Sequence, residues 1–135
     1  MGTTVWLSSA TREDLRRLQD QLHLPSVEST VRHLLERPAV DARALFAVHR
    51  KRIAAILRRH GLTGLVAFGS RARGDATVAS DLDLAAVVKA GAGPMAALAA
   101  EADLEDELGV PVHLVELPNP ALQAAIEREG VPFAG

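Results

Sequence analysis

The sequence contains no cysteine, few aromatic residues and no long apolar run. Without cysteine the chain can form neither a disulfide framework nor a thiolate metal site. Aromatic residues make up only 3% of the chain, so aliphatic side chains must build its core. No early apolar stretch is long enough for a signal peptide or a membrane span, so we expect a cytoplasmic protein with no membrane partner.

The remaining composition is that of an ordinary globular protein, with 24% charged and 48% hydrophobic residues in a chain of 135. A chain of this length can bury one modest core, with or without a small appended module. Its net charge of −2 conceals an uneven distribution, because residues 39–60 carry six basic side chains and one acidic side chain. This basic segment is either a surface for nucleic acid or an acidic protein, or a solvated helix face.

The pattern of residues 1–38 predicts a strand followed by two helices. We treat this whole segment as a separate module. Apolar and outward-facing residues alternate over Thr3–Ser8, a pattern typical of a short strand with one apolar face. A first helix is predicted over residues 12–22, with Thr11 as its N-cap, and a second helix begins after the N-cap candidate Ser26.

Residues 39–135 predict a second domain of α/β (α+β) class, in which helices cover a small sheet. The predicted elements are a helix from about residue 43 to His60, strands over 64–68 and 81–88, a helix ending at Gly109, a strand over 112–117 and a helix over 120–129. The helices follow from apolar spacing and caps, and the strands from short apolar runs bounded by turn residues.

Two aspartates stand two residues apart on a predicted strand. Side chains at that spacing project from the same face, so the carboxylates of Asp81 and Asp83 lie side by side. Paired carboxylates suit Mg²⁺, which completes its coordination with water and substrate phosphates. Two such ions can stabilise both the attacking and the leaving oxygen of a phosphoryl or nucleotidyl transfer.

A glycine-serine turn precedes this pair at the point where a strand leads into a helix. Backbone N–H groups at Gly69 and Ser70, together with the Ser70 hydroxyl, are suited to bind a triphosphate. Arg71 or Arg73 is placed to add a charge-assisted contact. Each feature alone is common, and their combination is much more specific.

The combined pattern resembles the signature of the polymerase-beta-like nucleotidyltransferase superfamily, and closely that of its minimal (MNT) branch. It consists of Gly69-Ser70-x-Ala72-Arg73-Gly74, a short loop, and Ser80-Asp81-x-Asp83-Leu84. The resemblance spans about residues 43–135 and includes Ile126–Val131, which is similar to the C-terminal helix of that branch. It implies that Gly69, Ser70, Arg73 and Ser80 bind the nucleotide ATP, and that Asp81 and Asp83 hold one or two magnesium ions.

The third catalytic acid of that family has no counterpart in this chain. The family carries an aspartate on the next strand, and His113 occupies the corresponding place within Val112–Val115. Glu116 is predicted to face the opposite side of the strand, so it does not replace the missing acid. An imidazole can act as general base or metal ligand, although it suits hard Mg²⁺ less well. Weakened activity and complete loss both remain open.

The strand-helix-helix pattern of residues 3–37 resembles a ribbon-helix-helix module, which implies a homodimer whose paired strands enter the DNA major groove. The resemblance implies that Thr4, Trp6 and Ser8 face the bases and that Ser26 faces a phosphate. The balanced charge of this segment disfavours DNA binding, so a ribbon that only dimerises the protein is an alternative.

Together the resemblances imply an antitoxin whose MNT domain transfers AMP from ATP to a cognate toxin of HEPN type. If the ribbon binds DNA, the protein is also expected to repress its own operator. One alternative is a catalytically degenerate domain that neutralises the toxin by binding it, or acts as a repressor. Another is a nucleotidyltransferase for a small molecule, which the lack of a sizeable second domain disfavours.

Overall fold

The computed structural model describes residues 6–37 and 39–135, which fall into two units that divide after Arg37. We number the helices α1 (Ser9–Gln21), α2 (Val27–Leu35), α3 (Ala42–Val48), α4 (Arg50–His60), α5 (Ser70–Arg73), α6 (Ala96–Leu108) and α7 (Pro120–Glu129). The strands are β1 (Leu62–Phe68), β2 (Leu82–Val88), β3 (Val112–Leu117) and β4 (Val131–Pro132). None of the helices in the described ranges has the length and apolarity that crossing a membrane requires.

The first unit is helical over its described residues, so the predicted ribbon is wrong. Residues 6–8, including Trp6, form no strand, and Ser8 is the N-cap of α1. Its hydroxyl accepts a hydrogen bond from the Thr11 backbone N–H at 3.1 Å. The N-cap is therefore Ser8, three residues before the predicted Thr11. Serine is at least as strongly preferred as threonine in this position. Thr4, with the rest of residues 1–5, lies outside the described residues.

The second helix begins at the predicted cap. The Ser26 hydroxyl accepts from the Ser29 N–H, and the Ser29 hydroxyl accepts from the Ser26 N–H, both at 3.1 Å, which forms a reciprocal capping box. Ser26 is therefore confirmed as the N-cap of α2. Its hydroxyl, which the sequence analysis assigned to a DNA phosphate, is hydrogen-bonded to Ser29 of the same helix. The homodimer and the DNA-reading face, which were inferred from the ribbon, are not supported by the described residues and stay predictions.

The second unit contains one mixed sheet with the strand order β3-β2-β1-β4. Strand β2 runs antiparallel to β1 and parallel to β3, and helix α6 makes the crossover that a parallel pair requires. The predicted α/β architecture, a small sheet covered by helices, is confirmed for this unit. Strand β3 and helix α7 have the predicted bounds.

The sheet has a different apolar cluster on each face. The larger cluster joins the sheet to α4 and α6 through residues such as Ile53, Leu84 and Leu104. On the other face a smaller cluster contains Val66, Phe68 and Ala85, packed against residues of α7. Since side chains alternate along a strand, Asp83 lies on the face of the smaller cluster, and the larger core anchors the strand from behind.

Two elements of the second unit differ in kind from the prediction, while β1 begins two residues before its predicted start and β2 begins one residue after it. The single helix expected from residue 43 to His60 is two helices that meet at His49, where φ is −103° and ψ is 15°. The His49 Nδ1 atom lies 3.1 Å from the Glu107 carboxylate, so a partner far along the chain fixes this junction. Strand β4 was not predicted, because its two residues are too few to show a periodic pattern.

Strand β3 is an edge strand whose outward N–H groups are bound by acids of α6. The Val112 N–H donates to Glu105 at 3.0 Å and the Leu114 N–H donates to Glu101 at 2.9 Å. These bonds flank His113 and satisfy backbone donors that an edge strand otherwise leaves unpaired. They hold the strand that presents His113.

Replacing Glu101 with alanine leaves the N–H of buried Leu114 without its acceptor, and we expect a loss of about 1–2 kcal/mol in the free energy of unfolding. Glu101→Gln keeps a side-chain oxygen acceptor and is expected to lose less. Urea denaturation measures both variants, with Asp106→Ala on the exposed surface of the same helix as control. Equal stability of Glu101→Ala and Asp106→Ala contradicts the prediction.

Candidate active site

The site begins at Gly69, the residue that follows strand β1. This residue has φ +76° and ψ −162°, in a region that side chains strongly disfavour. A Cβ atom built on Gly69 overlaps the Asp83 carboxylate, so glycine is required both for the turn and for the close approach of Asp83. The chain then enters α5 at Ser70.

The strand registers bring Asp83 and His113 together. Asp83 pairs with Phe68 of β1 on one side and with His113 of β3 on the other. The His113 Nδ1 atom lies 3.7 Å from Asp83 Oδ1, with the His113 side chain 62% exposed and that of Asp83 30% exposed. Three elements, the β1–α5 turn, β2 and β3, therefore meet at the Asp83 carboxylate.

Asp81 lies immediately before β2 and is exposed, and its charge acts on Asp83. Burial raises the pKa of the Asp83 carboxyl above its ordinary value, while His113 lowers that pKa and Asp81 raises it. The two carboxylates are thus close enough to repel each other. A cation between them removes this repulsion.

Arg71 is a structural residue of the site. Its side chain is 2% exposed, and it donates to the carbonyl oxygens of Ser80 at 3.0 Å and Val40 at 2.9 Å. Burial lowers the pKa of Arg71, and nearby Asp81 raises it. The guanidinium therefore ties α5 to the residue that precedes Asp81, and of the two arginines considered for phosphate binding this one is turned inward.

Ser80 closes the loop that leads to the acidic pair. Its hydroxyl oxygen accepts a hydrogen bond from the Thr77 N–H at 3.1 Å, and its carbonyl accepts from Arg71. The side chain thus shapes the loop, and its contact with nucleotide stays a prediction.

Arg73 and Glu129 form an ion pair that the sequence analysis did not identify. Arg73 donates to Glu129 at 2.9 Å and to Asp75 at 3.1 Å, and the Gly69 N–H donates to Glu129 at 3.2 Å. The sequence offered one signal, because Glu129 is the last residue of α7, where the helix dipole disfavours an acid. An acid in that position indicates a partner elsewhere in the fold.

The donor set of the site fits magnesium. Asp81 and Asp83 supply hard carboxylate oxygens, and the partial burial of Asp83 favours a bound cation over an isolated charge. Among residues 6–37 and 39–135, no three His, Asp or Glu side chains form a cluster able to hold a metal by themselves. Phosphate oxygens and water are therefore needed to complete the coordination.

A glycine-serine turn beside one aspartate on a strand and a second immediately before that strand, on a mixed sheet backed by helices, defines the nucleotidyltransferase class of folds. The nucleotidyltransferase domain family matches residues 50–132, and the chain belongs to this family. No curated protein matches the chain. A solved structure of a candidate minimal nucleotidyltransferase is 33% identical, covers 69% of this chain and 96% of its own, and superimposes with a TM-score of 0.58.

Two more distant structures share the fold. A toxin-antitoxin structure with AMP-PNP is 24% identical, with a TM-score of 0.53 over 63% of this chain and 72% of the other. A structure of a tri-AMPylated Shewanella oneidensis HEPN toxin in complex with an MNT antitoxin is 21% identical, with a TM-score of 0.50 over 67% of this chain and 72% of the other.

Replacing Gly69 with alanine is expected to abolish binding of Mg²⁺-ATP, because the new Cβ atom displaces the Asp83 carboxylate. The backbone conformation at Gly69, which is almost exclusive to glycine, adds a loss of about 1–3 kcal/mol in the free energy of unfolding. Gly109→Ala is the matched control, since Gly109 has φ +67° and open space around its Cβ position. Calorimetric titration and thermal unfolding measure the two effects. Wild-type affinity in Gly69→Ala contradicts this account.

Proposed function

We propose that this chain is an antitoxin that transfers AMP from ATP to a cognate toxin of HEPN type in a Mg²⁺-dependent reaction. The toxin supplies a side-chain hydroxyl as the acceptor. Gly69 and Ser70 bind the phosphates, Asp81 and Asp83 hold magnesium, and His113 stands in the third catalytic position.

The observation that carries the proposal is the placement of Asp83. Its carboxylate lies against the backbone of the Gly69-Ser70 turn and 3.7 Å from His113. A group that binds phosphates and a pair of metal-binding acids are therefore adjacent, as transfer of a nucleotide requires. Exposure of His113 leaves the site open to an acceptor that is itself a protein.

The proposed step is a substitution at the α-phosphorus of ATP. The toxin hydroxyl oxygen forms a bond to that phosphorus, the bond to the bridging oxygen of the β-phosphate breaks, and pyrophosphate leaves. The hydroxyl proton passes to a base. We assign this role to His113, whose exposed imidazole lies beside Asp83. Bound magnesium supplies charge neutralisation for the phosphates.

Family and fold support this reading. The chain belongs to the nucleotidyltransferase domain family, and the fold recurs in the MNT antitoxin of a complex that contains an AMPylated HEPN toxin.

A second candidate is a degenerate domain that neutralises the toxin by binding alone. The imidazole of His113 favours it, because this side chain stands where the family carries an acid and is a poorer ligand for Mg²⁺. The retained pair Asp81 and Asp83 favours catalysis. A labelling experiment separates the two.

The test incubates the protein with Mg²⁺, the product of the adjacent gene and ATP labelled on the α-phosphate. Label is expected on the toxin, and ATP labelled on the γ-phosphate is expected to leave none. Asp83→Asn and metal chelation are each expected to reduce labelling at least about a hundredfold, because bound metal contributes several kcal/mol to such reactions.

Asp106→Asn is the control for loss of an acid, since Asp106 is exposed on α6. Label that survives in both Asp81→Asn and Asp83→Asn contradicts the assigned site. Tight complex formation without any label supports the degenerate domain.

His113→Asp is expected to increase ATP-dependent labelling, by about tenfold for each 1.4 kcal/mol of added transition-state stabilisation. The register with Asp83 places the new carboxylate beside the existing pair. His113→Asn is the control, because it removes the imidazole without adding a charge. If wild type labels well and His113→Asp gives no gain, the imidazole itself performs the third role.

A further inference from the structure

Glu129 bridges the two ends of the short segment that carries the proposed phosphate contacts. Its Oε1 atom accepts from the Gly69 backbone N–H at 3.2 Å, and its Oε2 atom accepts from Arg73 at 2.9 Å. One carboxylate thus holds both the residue before α5 and the last residue of α5. We call this arrangement the Glu129 clasp.

The surroundings of Glu129 are suited to a fixed, ionised carboxylate. Its side chain is only 9% exposed, although it stands at the helix end where the dipole disfavours an acid. The hydrogen bond from Arg73 lowers the pKa of Glu129, and the bond from the Gly69 N–H lowers it further. Arg73 and the Gly69 N–H therefore compensate for the unfavourable interaction between the Glu129 carboxylate and the helix dipole.

The clasp determines which donors remain for a phosphate. Within the described residues, the N–H groups of Ser70 and Arg71 and the Ser70 hydroxyl have no hydrogen-bond partner, whereas the Gly69 N–H is used by Glu129. Arg73 is also engaged, since its Nε atom donates to Asp75 and its NH1 atom donates to Glu129. The remaining donors lie between the two points that the clasp fixes.

We propose that Glu129 is a positioning residue that holds the Ser70 and Arg71 amides ready for the nucleotide phosphates, and that Arg73 acts through Glu129. The two hydrogen bonds of the clasp are present in the structure. The role of the clasp in nucleotide binding rests on the proposed function. In this arrangement α7 supports the site from the far end of the chain. Arg73 orients the turn and makes no essential contact with phosphate.

The opposite arrangement makes a different prediction. If Arg73 is a direct phosphate ligand, Glu129 competes with the nucleotide for it, and removal of the competing carboxylate tightens binding. If Glu129 positions the turn, its removal weakens binding. The direction of the change therefore decides between the two.

The first test needs no nucleotide. Hydrogen exchange of backbone amides, followed by NMR, is expected to show a protected Gly69 amide in wild type and exchange at least about tenfold faster in Glu129→Ala. Glu127→Ala is the matched control, because Glu127 is exposed on the same helix and is bonded to Gln123 alone. Equal exchange of the Gly69 amide in Glu129→Ala and wild type overturns the clasp. If Glu129→Ala fails to fold, Glu129→Met takes its place, because methionine has a similar length and lacks the oxygen that accepts from Gly69.

The second test is a double-mutant cycle on binding of Mg²⁺ with α,β-methylene-ATP, an analogue that cannot transfer AMP. Glu129→Ala and Arg73→Gln are each expected to weaken binding roughly tenfold, as for loss of a charge-assisted hydrogen bond. The double variant is expected to lose about the same factor, because both substitutions remove one interaction. Tighter binding by Glu129→Ala, or additive losses, overturns the proposal. A wild-type chain that binds no analogue refutes the proposed function instead, and the exchange experiment still judges the clasp.

Discussion

The site depends on the absence of a side chain at Gly69. Because the backbone there has φ +76° and no Cβ atom, the Asp83 carboxylate can lie directly against the turn that follows β1. Any other residue forces the carboxylate away or changes the direction in which the chain enters α5. The adjacency of phosphate donors and metal-binding acids, on which the proposed chemistry rests, follows from this single contact.

Charge balance around that contact explains why a cation is needed. The ionisable side chains that interact at the site are four acids, three arginines and one histidine, namely Asp75, Asp81, Asp83, Glu129, Arg71, Arg73, Arg128 and His113. Arg71 is buried on backbone carbonyls, and Arg73 is paired with two carboxylates. Neither of these two arginines provides excess positive charge for a triphosphate. With this balance, the nucleotide binding that we propose requires a divalent cation to offset the negative charge.

The sequence predicted the parts of the site that depend on local pattern and missed those that depend on distant partners. The Gly69-Ser70 turn and the strand bearing Asp83 follow from short-range apolar runs and turn residues. The Glu129 clasp joins residues about sixty positions apart, and the α3–α4 junction depends on Glu107, 58 residues from His49. The ribbon prediction failed because alternation over six residues is weak evidence beside a serine able to cap a helix.

The register of β3 decides which residue can replace the missing third acid. Pairing of Asp83 with His113 places residue 113 next to the acidic pair, while Val112 and Leu114 point into the larger core. A slip by one residue exchanges the two faces, so it brings an apolar side chain to the site and an imidazole into the core. Burial of Val112 and Leu114 opposes that slip, and the bonds from their N–H groups to Glu105 and Glu101 oppose it further. The third position of the site is therefore fixed by packing on the opposite face of the sheet, and its chemistry depends on the side chain of residue 113 alone.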